Sequence, residues 1–90
     1  MKLAFASQAW QDYLYWQDSH LEALDRLNDL IEERIRTPFT GTGKPEALKG
    51  DLKGWCSRRI TLNDRLVYRT SGKAPDQALE IVQCRYHYDR

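Results

Sequence analysis

Three observations place this 90-residue chain in the α+β class: two helical hydrophobic stripes early on, short period-two segments after residue 45, and turn-forming residues between those segments. Helices that bury one stripe and strands that bury one face need each other. The expected architecture is an N-terminal strand and a two-helix hairpin packed on a twisted, mainly antiparallel sheet of four or five strands. Ninety residues make one domain, 1–90, with no repeat, linker or low-complexity tract.

Residues 2–6 read as a short opening strand. Ser7 is placed to cap a helix over about 8–17, with Trp10, Tyr13, Leu14 and Gln17 at helical spacing. Ser19 and Glu22 have capping-box spacing for a second helix, whose stripe is Leu24, Leu27, Ile31 and Ile35. Thr37-Pro38 ends it, because the residue before proline is pushed out of the helical region. The segments at about 46–48, 55–60, 65–70 and 79–87 alternate as strands do. Leu66, Tyr68 and Thr70 fall on one face, with Arg65, Val67 and Arg69 on the other. In the last strand Val82, Cys84 and Tyr86 alternate with Ile81, Gln83, Arg85 and His87, which makes Tyr86 a core residue and leaves Tyr88 outside the regular strand. Asn63-Asp64 and the run Ser71 to Asp76 are turn chemistry, so the later strands should form an antiparallel meander.

The apolar share of 41% supports a packed core rather than disorder. No apolar stretch approaches the roughly 18 residues of a membrane span, and Met1 to Phe5 is too quickly polar for a signal peptide, so a cytoplasmic protein with no membrane partner is expected. Residues 1–43 carry four Lys/Arg against seven Asp/Glu, whereas residues 44–90 carry ten against six. That asymmetry suits one face for a polyanion and another turned elsewhere. Cys56 and Cys84 are too few for a disulfide framework, and Cys84-x-x-His87 lacks the third and fourth ligands of a metal site. No metal or cofactor is expected. Gly41-Thr42-Gly43-Lys44 lacks the Walker spacing and reads as a turn.

The basic half holds a set able to cut RNA at its own 2′-hydroxyl. Such cleavage needs a base, an acid for the departing 5′-oxygen, and positive charge on the phosphate. His87 is the candidate acid, because imidazole with a reference pKa of about 6.5 is partly protonated near neutrality. Glu46 is the candidate base. Arg65 is the candidate phosphate clamp, since guanidinium stays charged and binds two oxygens at once. Tyr88 is placed to stack on unpaired bases, and Lys49, Arg58, Arg59 and Arg85 to grip flanking RNA. Each residue alone has an ordinary reading as a solvated or ion-paired side chain. Their co-occurrence points to a nuclease.

The residues also resemble a known family. Met1-Lys2-Leu3, Asp12-Tyr13-Leu14-Tyr15-Trp16, Thr37-Pro38-Phe39-x-Gly41-x-Gly43-Lys44-Pro45-Glu46-x-Leu48-Lys49, Ser57-Arg58-Arg59-Ile60, Arg65-Leu66-Val67-Tyr68 and Arg85-Tyr86-His87-Tyr88 are similar to the YoeB toxins of the RelE-type superfamily. That resemblance implies a fold like small microbial ribonucleases and a ribosome-dependent mRNA endonuclease. It implies Glu46 as base, His87 as acid, Arg65 on the phosphate, Tyr88 positioning the RNA, and Lys49 and Arg59 in support. The implied partners are a YefM-like antitoxin, the 70S ribosome with its mRNA, a second copy in a homodimer, and operator DNA through the antitoxin complex alone.

Three departures from the family pattern stand out: Asp89-Arg90 follow the terminal Tyr-His-Tyr, Cys56 replaces a tryptophan, and Asp64 replaces a histidine. The last predicts an Asp64–Arg65 ion pair that competes with phosphate. The rival reading is a non-enzymatic toxin like the ParE branch, which poisons gyrase by contact and has no need for Glu46, Arg65, His87 and Tyr88 together.

Overall fold

The computed structural model describes residues 1–37 and 46–87. Tyr88, the Gly41–Lys44 turn and Asp89-Arg90 lie outside the described residues. The elements run β1 (Lys2–Phe5), α1 (Ser7–Ser19), α2 (Leu21–Arg36), β2 (Glu46–Ala47), a 3₁₀ turn at Gly50–Leu52, β3 (Cys56–Arg59), β4 (Arg65–Ser71) and β5 (Ala78–Gln83). The strands form one sheet in the order β1-β5-β4-β3-β2. β2 through β5 pair antiparallel as expected, and β1 joins β5 in parallel, with Phe5 opposite Ile81.

Both helices cover one face of this sheet. Ala9 and Trp16 of α1 and Leu27, Leu30 and Ile31 of α2 pack with Leu66 and Tyr68 of β4 and Leu79 and Ile81 of β5. The buried positions of α2 are Leu27, Leu30, Ile31 and Arg34, so the stripe is turned toward Leu30 and Arg34 from the one predicted, leaving Leu24 and Ile35 at its margins. On α1 the buried positions are Ala9, Asp12 and Trp16, while Trp10 is exposed. An aspartate reads as polar to any hydrophobic pattern, and Asp12 is buried because it caps a backbone group of another segment. Neither Ser7 nor Ser19 caps as predicted: α1 starts at Ser7 itself, and the N-cap of α2 is His20, with no side-chain cap bond.

The last strand differs most from its sequence reading. β5 ends at Gln83 rather than running to residue 87. Tyr68 pairs with Ile81 but Val67 pairs with Gln83, so Val82 is an extra residue in a bulge. Paired residues share a face, and the bulge therefore separates Ile81, which enters the helix-side core, from Gln83, which faces the other way. Strict alternation had put those two together. Tyr86 has φ 65° and is exposed, not core, because the chain has already left the sheet.

Cys84 fastens this departing segment to α1. Its amide donates to Asp12 Oδ2 at 3.1 Å, its carbonyl accepts the Trp16 indole N–H at 2.7 Å, and its Sγ lies 3.3 Å from the Ala9 carbonyl oxygen. Both cysteines are thiols rather than halves of a disulfide.

Candidate active site

The face of the sheet away from the helices carries Glu46, Arg59 and Arg65, and strand register sets their order. Glu46 pairs with Ser57, Ser57 with Val67, and Val67 with Gln83, giving one row across four strands. One step along the same face, Arg59 pairs with Arg65. Tyr68, the chain neighbour of Val67, points into the core, so the Val67 row points away from the helices. Two separate sequence segments are thus brought together by a ladder of main-chain bonds rather than by a loop.

Glu46 and Arg65 meet. Glu46 Oε2 lies 3.7 Å from Arg65 Nη1, with the glutamate side chain 53% exposed and the arginine 17%. They line a cavity of about 340 Å³ together with Arg26, Ser57, Arg58 and Arg59. One glutamate therefore shares a cavity with four arginines, an excess of positive charge that attracts anions. Arg58 contributes to it although its residue is only 8% exposed. Arg26 is a member that sequence reasoning missed. It sits on α2 among acidic residues, and no pattern says which edge of the sheet that helix will cross.

The hydroxyl of Ser57, which also lines this cavity, is buried and has no hydrogen-bond partner among the described residues. Lys49 is exposed just before the 3₁₀ turn and is not part of the cavity lining. Arg85 lies elsewhere too, its guanidinium carbon 3.4 Å from the centre of the Tyr15 ring and 4.4 Å from that of Tyr86. Its side chain lines a separate cavity of about 770 Å³ beside Tyr15, Trp16 and His20.

Arg65 joins the two halves of the predicted set. Its side chain reaches Glu46, while its backbone N–H donates to the Tyr86 carbonyl at 2.9 Å. His87 is the next residue. Its carbonyl accepts the Gln83 amide at 2.7 Å. The expected Asp64–Arg65 ion pair is absent among the described residues. Asp64 instead accepts the Tyr86 N–H at 2.7 Å through Oδ1 and the Thr61 hydroxyl at 2.6 Å through Oδ2. Those two bonds occupy both oxygens of the Asp64 carboxylate. Where the family pattern has a tryptophan, Cys56 pairs with Tyr68, and Trp55 beside it packs under the Arg69 guanidinium at 4.4 Å.

Among the described residues no group of three or more His, Cys, Asp or Glu side chains could hold a metal ion, and no helix is long and apolar enough to cross a membrane.

A family model described as the YoeB-like toxin of bacterial type II toxin–antitoxin systems matches residues 5–88. Toxin YoeB of Escherichia coli strain K12 is 49% identical over 88 residues, which is 98% of this chain and all of that protein. The chain belongs to the YoeB-like toxin family. Among solved structures, the YoeB/ParE toxin from Agrobacterium tumefaciens superposes with a TM-score of 0.89 at 51% identity, covering 98% of this chain and 100% of that one. The toxin of the heterotetrameric YoeB–YefM complex from Staphylococcus aureus does so with a TM-score of 0.83 at 37% identity, covering 98% of each chain. The α+β fold, two helices packed on a five-stranded sheet, is the fold of YoeB-like toxins.

Proposed function

We propose that this YoeB-like toxin is a ribosome-dependent mRNA endoribonuclease that halts translation by cutting message in the ribosomal A site. The observation that carries the reading is the position of Arg65, which touches Glu46 with its side chain and the main chain beside His87 with its amide. A phosphate bound to that guanidinium has a carboxylate on one side and an imidazole-bearing segment on the other. Glu46 takes the proton of the 2′-hydroxyl, the 2′-oxygen forms its bond to phosphorus, and the bond to the 5′-oxygen breaks as His87 protonates it. Arg65 leaves Glu46 for the phosphate oxygens, with Arg58, Arg59 and Lys49 along the flanking backbone and Tyr88 positioning the RNA. The products are a 2′,3′-cyclic phosphate and a 5′-hydroxyl. General acid and base steps worth about 10²–10⁴ each, and a charge clamp worth about 10²–10³, multiply to roughly 10⁶–10¹¹. That range is enzymatic without a metal.

The partner in this reading is a YefM-like antitoxin whose acidic segment covers the cationic cavity, and the setting is the bacterial cytoplasm. Homodimerisation and operator binding through the antitoxin complex belong to the same proposal. Toeprinting of translating ribosomes with and without the protein tests it: cleavage should need the ribosome, and a 2′-deoxynucleotide at the cut site should abolish it. Cutting that persists through the 2′-deoxy link rejects the chemistry. Inhibition of gyrase supercoiling without RNA cleavage establishes the contact-poison alternative.

A further inference from the structure

β5 stops at Gln83, yet the four residues after it are each fastened. Cys84 is held by Asp12 and Trp16 of α1, and Arg85 lies against the Tyr15 ring. The next two residues are held differently, by side chains of the sheet acting on main-chain atoms. Gln83 Nε2 lies within hydrogen-bond distance of the carbonyl oxygens of Arg85 at 2.9 Å, Tyr86 at 3.2 Å and His87 at 2.7 Å. Asp64 Oδ1 accepts the amide of Tyr86 at 2.7 Å, and Tyr86 takes the left-handed φ of 65° that this turn requires. Such a conformation in a bulky residue persists only where its surroundings impose it.

The carbonyls of Arg85, Tyr86 and His87 converge on one amide, and that of Tyr86 also accepts the Arg65 N–H. Gln83 occupies a sheet position that is 8% exposed, where an apolar side chain would pack and offer nothing to the chain end. The bulge at Val82 is what turns that amide toward the terminal segment.

We infer that Asp64 and Gln83 form a two-point clamp that fixes the main chain of His87 beside Arg65, and that both are positioning residues for the cleavage. This rests on the reading of His87 as the general acid. Neither side chain touches RNA or reacting atoms. They hold the imidazole's point of attachment, and a displacement near 1 Å at such a point can cost about 10²-fold in rate.

The test combines single-turnover cleavage on programmed ribosomes with backbone ¹⁵N relaxation of the free protein, for Asp64→Ala, Asp64→Asn and Gln83→Leu. Asp64→Ala and Gln83→Leu should lower the cleavage constant at saturating protein by about 10- to 100-fold and leave the half-saturating concentration within about twofold. Asp64→Asn keeps an acceptor for the Tyr86 amide and should keep most of the rate. In a His87→Ala background neither loss should appear, because the clamp acts through His87. The order parameter of the His87 amide should drop from near 0.85 toward 0.6 in the two clamp-breaking variants.

Asp64 sits in a surface turn, so its variants decide the matter even where Gln83→Leu fails to fold. A folded Asp64→Ala protein with unchanged saturating rate and a rigid His87 amide overturns the inference. If His87→Ala cleaves like wild type, the acid assignment falls first, and the relaxation measurement alone then decides whether the clamp orders the segment.

Discussion

At the scale of single residues, the sharpest consequence concerns Arg65. Its task in the proposed reaction is to exchange a loose 3.7 Å contact with Glu46 for two bonds to a phosphate. Lysine keeps the charge but presents a point rather than a fork. Arg65→Lys should therefore fold normally and lose about 10- to 100-fold in cleavage, measured as the constant at saturating protein. His87→Ala should cost about 10²–10⁴-fold in the same assay and relieve growth arrest on induction, with far-UV circular dichroism unchanged. Ser57 gives the opposite kind of prediction. A buried hydroxyl without a partner is a cost to the folded state, so Ser57→Ala should leave the melting temperature equal or raise it, with a gain of up to about 1–2 kcal/mol. A fall in melting temperature would mean that the hydroxyl is bonded in solution. Tyr68 is a further buried polar residue: burial pushes its phenol above the usual 10.0, with the Arg34 guanidinium partly offsetting it, so the ring stays neutral at working pH.

At the scale of elements, α1 and the chain end stabilise one another. Trp16 donates its indole N–H to the Cys84 carbonyl across 68 residues of sequence. Trp16→Phe retains most of the apolar volume but strands that carbonyl, and should destabilise the protein by about 1–3 kcal/mol in urea unfolding. The pairing of β4 with β5 carries a pH signature. The Ser71 hydroxyl and then the Arg69 guanidinium hold the Glu80 carboxyl below its ordinary 4.5, and Arg69 lies 3.0 Å away across the strands. A carboxyl whose folded value is depressed contributes stability that is complete above the unfolded value and disappears as pH falls through the folded one. The melting temperature of Glu80→Gln should thus fall below that of wild type near neutrality and converge with it as acidification protonates the carboxyl, below its ordinary 4.5. The gap should be small, because the pair is largely in water and screened by salt.

At the scale of the whole molecule, the two sides of the sheet divide the labour. One side takes the helices and the core, the other carries Glu46, Arg59 and Arg65, and Arg26 and Arg58 join them in lining one cavity. Affinity for programmed ribosomes should accordingly weaken as salt rises, with a slope that flattens by about one on removing a phosphate-contacting cation such as Arg59. The α+β class, two helices and the antiparallel run of the later strands were legible because hydrophobic period and turn residues survive in the sequence whatever the fold does next. Glu46, Arg65 and His87 stood out as candidates because each carries chemistry that few other residue types supply. The stripe on α2, the end of β5 and Arg26 were not. A buried Arg34 and Asp12 count as polar in any pattern, and a single bulge residue shifts every later side chain to the other face.

Sequence by itself determined what is local: which stretches repeat at 3.6 or at 2, where turns interrupt them, and which side chains can carry protons or grip a phosphate. Tertiary structure alone decided adjacency. Ladder bonds bring Glu46 opposite Ser57 and Arg59 opposite Arg65, and Asp64 turns from an expected rival for phosphate into an anchor of Tyr86. The reason is physical. Period is a property of a segment's own backbone, whereas a site is a set of distances between segments that only register, bulge and packing can fix.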